Sequence, residues 1–299
     1  MYSNEPNQPI SSLGGQPSSW PSRRSTYHPF GVRFEAGNLI SQTFTMWRND
    51  LARLVGINAI PYVLLMVVGV VGGAAFVGSV GLASFDRVFD DGALLLPMAA
   101  AATGFTAFGF LLFCAAQVGS YIVVEEQVRG EPRSIGVGRA LTTGLSAMPA
   151  VLAIWIVGGA VGAATFAPVM AIGAYAIVEE SIVGGLLALA ISVPAFLFML
   201  WTALRVFALA PVVAVIEEVG AIEAMRRTVA LTKGNVGDLF VAGLVFSVVM
   251  FGINMVVNVF GIIPIIGLLI QLGGGIVFGA LSSVWFFLAY AGLRDRQGA

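Results

Sequence analysis

Residues Arg205 to Gly234 read RVFALAPVVAVIEEVGAIEAMRRTVALTKG, and their reading decides the fold. Arg205 closes an uncharged run that begins after Glu180, Pro211 interrupts the apolar helix, and Glu217 and Glu218 stand at the water boundary. A short amphipathic segment follows. Ile222, Met225 and Val229 share one helical face, and Glu223 precedes Arg227 by four residues, the favourable order for an ion pair on a helix. Gly234 is placed to end that helix, as glycine commonly does just beyond a C-terminus. The stretch therefore predicts a helix that leaves a membrane, a second that lies along its surface, and a third that re-enters.

Composition points the same way. The 299 residues are 58% hydrophobic and 10% charged, with a mean hydropathy of +0.92, whereas a soluble domain carries roughly 25% charged residues. The chain reads as a polytopic membrane protein. The alternating pattern of a membrane barrel strand is absent, so the expected class is all-α, with spans of about 20 apolar residues each. The net charge of −1 implies no nucleic-acid partner. One cysteine, Cys114, and one histidine, His28, exclude an internal disulfide and a His/Cys metal cluster, and no cofactor is expected.

Three regions are expected along the chain. Residues 1–33, rich in Ser, Pro, Asn, Gln and Gly, are a disordered polar tail without the charged start and apolar core of a secretory signal. Residues 34–293 hold six transmembrane helices, and 294–299 form a short C-terminal tail. Phe34 to Arg53, with Trp47 and Arg48 at headgroup depth, reads as an interfacial helix before span 1, about Leu54 to Val80. From Ala93 no charge appears until Glu125, which is longer than one crossing needs, so Gln117 to Val124 is expected to tilt, kink or run out along the interface. Spans 3 and 4 cover about Met148 to Ala174 and Ile182 to Leu204. The 55 uncharged residues from Leu239 to Leu293 hold spans 5 and 6, turning at Gly261 to Pro264.

Six spans put both ends on one side. That side carries 14 of the 15 Arg and Lys residues, and the other only Arg87, so both termini are expected in the cytoplasm, in a cell inner membrane.

An internal repeat accompanies this topology. GEPRSIGVGRALTTG, from Gly130 to Gly144, aligns without a gap on GAIEAMRRTVALTKG, from Gly220 to Gly234, and a Glu-Glu pair stands just before each. The interfacial helix before span 1 is a third copy by position. The predicted architecture is three hairpin repeats running in the same direction, each preceded by a cytoplasmic interfacial amphipathic helix.

These residues also carry a likeness. Arg205, Pro211, Glu217 or Glu218, then Gly220, Ala224, Arg226, Arg227, Leu231, Thr232, Lys233 and Gly234 resemble the bacterial six-helix membrane domain fused to some glycerophosphoryl diester phosphodiesterases, and its stand-alone membrane-protein relatives. The resemblance covers about residues 35 to 293 and implies a six-helix membrane domain. In the fused proteins hydrolysis belongs to a separate soluble barrel, for which this chain has no room. The resemblance therefore implies no phosphodiesterase chemistry here.

Candidate functional residues fall into two groups. Arg226, Arg227, Lys233, Arg133 and Arg139 are candidate contacts for anionic phospholipid headgroups. Arg205, Glu217, Glu218, Glu125, Glu126, Asn254 and Asn258 are candidate polar or ion-pair positions near membrane depth. Arg205 either pairs with one of those four glutamates or snorkels to headgroups. Asn254 and Asn258 either line a pore or, with Gln271, Ser282 and Ser283, make interhelical hydrogen bonds. Gly69 with Gly73, Gly158 with Gly162, and Gly275 with Gly279 have the spacing that lets helices approach closely, within the monomer or in a homo-oligomer. No nucleophile elbow, phosphate loop or zinc-protease motif is present, so no enzyme is expected. The expectation is a non-catalytic inner-membrane anchor, scaffold or organising protein that contacts the bilayer and a membrane or cytoplasmic protein; the alternative is a permease or channel for a small or lipid-like solute.

Overall fold

The computed structural model describes residues 30–80, 95–130, 135–260 and 266–298. The expected N-terminal tail up to residue 29, the acidic loop around Asp86 to Asp91, Arg133 and the turn at 261–265 lie outside them. Every regular element among the described residues is helical: α1 (Ala36–Asn49), α2 (Leu51–Val80), α3 (Leu95–Val128), α4 (Val137–Val178), α5 (Ile182–Thr202), α6 (Ala210–Ile216), α7 (Ala221–Thr232), α8 (Val236–Phe260) and α9 (Ile266–Gly298). Six stretches are long and apolar enough to cross a membrane: Leu51–Ala75, Met98–Val128, Val137–Val178, Ile182–Ile216, Val236–Phe260 and Leu269–Gly298.

The six are not equivalent. Within their most apolar windows α9 is 67% buried and α3 56%, whereas α4 and α8 are 11% buried and the α5 stretch 6%. Thus α3 and α9 form the centre, and the others wrap them with apolar faces turned outward. The surplus length of α3 is not laid on an interface. It continues as one helix, and Cys114, Val118, Tyr121, Val123 and Val124 are buried inside the protein.

Close approach of α3 and α4 makes that burial work. A Cβ on Gly144 would lie 2.6 Å from the Ala115 carbonyl oxygen, and one on Gly119 would lie 3.2 Å from that of Ala140. On the other side, Gly275 and Gly279 of α9 take the Tyr62 hydroxyl and the Asn58 side chain of α2. Gly158 and Gly162 face Phe207 and Met199, and Gly69 faces Phe105. These glycines serve packing within the chain.

Two boundaries differ from expectation. Residues 137–142, aligned with the last turns of α7, form no separate helix but open α4, which runs 42 residues, about 63 Å at 1.5 Å per residue. Gly144 therefore sits inside a helix. Its aligned partner Gly234, with φ +81°, follows α7 and turns the chain into α8. The break after α5 also precedes Pro211. A π turn spans Ala203–Phe207, closed by the Ala208 amide donating to the Ala203 carbonyl over 2.7 Å. Pro211 lies in the first turn of α6, where its missing N–H is no loss. α6 is buried along almost its whole length. After it, Glu218 adopts φ +53° and the Val219 amide donates to Ala214, ending the helix.

α1 buries Leu39 and Thr43 and packs mainly on α8 and α9, so the first helix covers the last two. At the other extreme α9 stays helical through Arg294 to Gly298, the segment expected as a tail.

Candidate functional site

The charged residues make two ion clusters at the helix ends. In the first, Arg53 of α2 donates from Nε to Asp50 (3.0 Å), from Nη1 to Glu126 (2.6 Å) and from Nη1 to the Ile135 carbonyl (3.1 Å). The Glu126 carboxylate also accepts the Ile135 amide at 3.1 Å. The Asp50 and Glu126 side chains are only 3% and 2% exposed, so this is a buried ion triad tying the α1–α2 corner to the end of α3 and the start of α4. Glu125 turns the other way and pairs with Arg129 at 2.8 Å.

The second cluster centres on Glu217. It accepts from the Tyr290 hydroxyl (2.8 Å) and from Arg227 Nη1 (2.6 Å), while Arg294 lies 3.8 Å away and donates to the Tyr290 oxygen. Arg227 donates from Nε to Glu223 at 2.8 Å, the pair its spacing predicts. The Arg129 and Arg294 guanidiniums both approach the Phe30 ring, at 5.3 and 5.9 Å. Asp295 accepts the Phe30 and Val32 amides at 2.9 and 3.0 Å, and Arg296 donates to the Phe34 carbonyl at 2.7 Å and to Asp238 at 2.7 Å. The end of α9 thus clasps the segment that enters α1.

Of the expected headgroup contacts, Arg139 and Lys233 are exposed and the Arg226 side chain is 82% exposed. Arg227 is held in its two ion pairs and acts as a strut for α7. Arg205 meets none of the four glutamates: its guanidinium lies 5.1 Å from the Trp201 ring, and its carbonyl accepts the Thr232 hydroxyl at 3.2 Å. Asn254 and Asn258 bond to each other along α8, Asn258 Nδ2 donating to Asn254 Oδ1 at 2.6 Å and to its carbonyl at 2.9 Å. Both lie on the outer face and make no interhelical bond among the described residues. Ser283 is buried and bonds within α9, and Gln271 is exposed. No group of three His, Cys, Asp or Glu among the described residues could hold a metal ion.

The pairings across long sequence separation escaped the sequence reading. Nothing local marks Arg53 as the partner of Glu126 or Tyr290 as that of Glu217. One signal was present: Asp50 three residues before Arg53 is itself ion-pair spacing.

A cavity of about 640 Å³ opens between α3, α4, α5, the π turn, α8 and α9. Its walls are almost wholly apolar, with Gln117, Tyr121, Trp155, Ser247, Ser282 and Trp285 the lining residues that carry polar groups.

The α7 struts make a pH prediction. Arg227, by its hydrogen bond, holds the Glu223 carboxyl below the usual carboxylate range, and Glu217 and then Glu223 raise the Arg227 guanidinium. A depressed carboxyl contributes stability above its unfolded-state value and loses it as pH falls through the folded one. Hydrogen exchange of the α7 amides, measured against those of α8, should be flat from about pH 5 to 8 and should speed up only below about pH 4. Loss of protection already near neutrality would contradict this.

The chain matches no known protein-family model, no curated protein and no solved structure, so its own geometry carries the functional reading.

Proposed function

We propose that this is a non-catalytic integral membrane protein, a scaffold or membrane-organising partner of the bacterial inner membrane, with the ion clusters on the cytoplasmic side. One observation carries the reading. The charged side chains at the helix ends are spent on holding those ends together, while Arg139, Arg226 and Lys233 reach outward from the same end. A rigid base with a basic rim suits lasting contact with anionic headgroups and a docked protein better than turnover. The excess of Arg and Lys on one side favours cytoplasmic termini.

Three repeated hairpins fit the successive packing of α2 on α3, α4 on α5 and α8 on α9, with α1 and α7 as separate amphipathic helices before the first and third and the opening turns of α4 in that place in the second. The resemblance to the phosphodiesterase-associated membrane domain fits the placement of Arg205, Pro211, Glu217 and Gly234 around α6 and α7. The permease alternative needs a polar path at membrane depth; of the residues on which it rested, Asn254, Asn258 and Gln271 are exposed and Arg205 lies against the Trp201 ring.

The test is lipid retention. The variant Arg139→Gln, Arg226→Gln, Lys233→Gln leaves the Arg53 and Glu217 pairings intact, at the cost only of the exposed Arg226–Glu223 contact at 3.9 Å, and removes three charges, each worth about 1 kcal/mol near an anionic surface. Native mass spectrometry should find at least tenfold weaker retention of phosphatidylglycerol by the variant than by the parent. Equal retention would sink the headgroup reading, and a stoichiometric protein partner in the parent spectrum would support the scaffold.

A further inference from the structure

We infer that the cavity between α5 and α8 is a binding site for one uncharged, single-headed lipid, with a hydroxyl or carbonyl head and a hydrocarbon body, entered sideways from the bilayer. This stands apart from the headgroup contacts, which need charge at the helix ends.

Chemistry sets the ligand class. The volume of about 640 Å³ lies within the range of roughly 300–1,000 Å³ usual for small-molecule sites. No Asp, Glu, Lys, Arg or His among the described residues lines it, so nothing there would compensate a phosphate or an ammonium brought into so apolar a space. The aromatic and aliphatic walls, among them Phe196, Leu200, Phe207 and Phe246, match a hydrocarbon.

The floor supplies hydrogen bonds that the protein itself leaves unused. Tyr121 is 1% exposed and its hydroxyl has no partner among the described residues. Trp285 is 4% exposed, and its buried indole N–H has no partner among them either. Buried polar groups almost always find a partner, and the Tyr121 hydroxyl in the cavity wall marks where a ligand's polar head belongs. Tyr121 can donate or accept, so a hydroxyl or a carbonyl head satisfies it.

The way in is lateral. Phe196, Phe240 and Leu244, which line the cavity, are 58%, 39% and 51% exposed, whereas Tyr121 and Trp285 close its inner wall. α5 and α8 share little packing, so the mouth lies between two helices of membrane-crossing length. The π turn lines the cavity with Ala203, Leu204 and Phe207, and such turns are frequent at functional sites.

The experiment uses the full chain in phosphatidylcholine nanodiscs with a diazirine-bearing diacylglycerol as probe. After illumination, the crosslinks should map to residues lining the cavity, unlabelled diacylglycerol should compete, and phosphatidylglycerol should not. Tyr121→Phe removes only a hydroxyl without a protein partner, so thermal stability in lipid-free detergent should hold while labelling falls about three- to tenfold. Ser247→Phe, which fills the cavity, should abolish labelling. Labelling unchanged in both variants, crosslinks confined to the outer faces, or equal competition by phosphatidylglycerol would each overturn the assignment.

Discussion

Replacing Arg53 by alanine is expected to destabilise the protein by about 3–5 kcal/mol, the cost of breaking a buried ion pair by removing one partner. Asp50 and Glu126 would lose the cation they share, in side chains only 3% and 2% exposed. The Ile135 carbonyl would lose its donor as well. Denaturant unfolding in mixed micelles measures the loss. The triple change Arg53→Met, Asp50→Asn, Glu126→Gln should regain most of it. Removing all the charge together leaves none buried alone, and the amide oxygen introduced by Glu126→Gln can still accept the Ile135 N–H. A loss below about 1 kcal/mol for Arg53→Ala would place the triad among ordinary surface pairs.

Gly144→Val is expected to cost about 3 kcal/mol, at the upper end of overpacking. The new Cβ would lie 2.6 Å from a backbone oxygen, and α3 cannot yield as a flexible side-chain tip would. Because α3 carries much of the core, opening its crossing with α4 also loosens the contacts of Tyr121 and Val118. Gly138→Val on the same helix is the control: nothing lies within 4 Å of its Cβ position, and stability should change by a few tenths of a kcal/mol. Equal effects at both sites would mean that α3 and α4 do not meet as described.

These two glycines also show where reading the sequence succeeds and where it stops. Gly144 and Gly234 occupy the same column of the repeat, yet one presses into a neighbouring helix and the other turns the chain at a positive φ. Local signals were enough for Gly234, because an amphipathic run with Glu223 and Arg227 at ion-pair spacing needs a stop. The six apolar stretches were legible for a similar reason: crossing a bilayer is a demand on length and composition alone. Pro211 misled by one turn, since a proline marks a helix start as readily as a break. The partners Glu126 and Tyr290 stand 73 residues from Arg53 and Glu217, and no local pattern carries such a pairing. The cavity was illegible altogether. Phe196 and Trp285 read as ordinary span residues, and the gap between them exists only once α5 and α8 fail to meet.

The clasp of α9 on residues 30–34 sets an order of events during synthesis. α1 is made early, but the surfaces that bury Leu39 and Thr43 belong to α8 and α9, and the anchors Asp295 and Arg296 are among the last residues described. At about 5–20 residues per second, roughly 10–50 s pass between Leu39 and Arg296. Until α8 and α9 are made, most of the apolar side of α1 lacks its protein cover, and the membrane surface is its natural resting place. The helix thus starts as a peripheral one, and the bundle is sealed only when the last turns of α9 emerge.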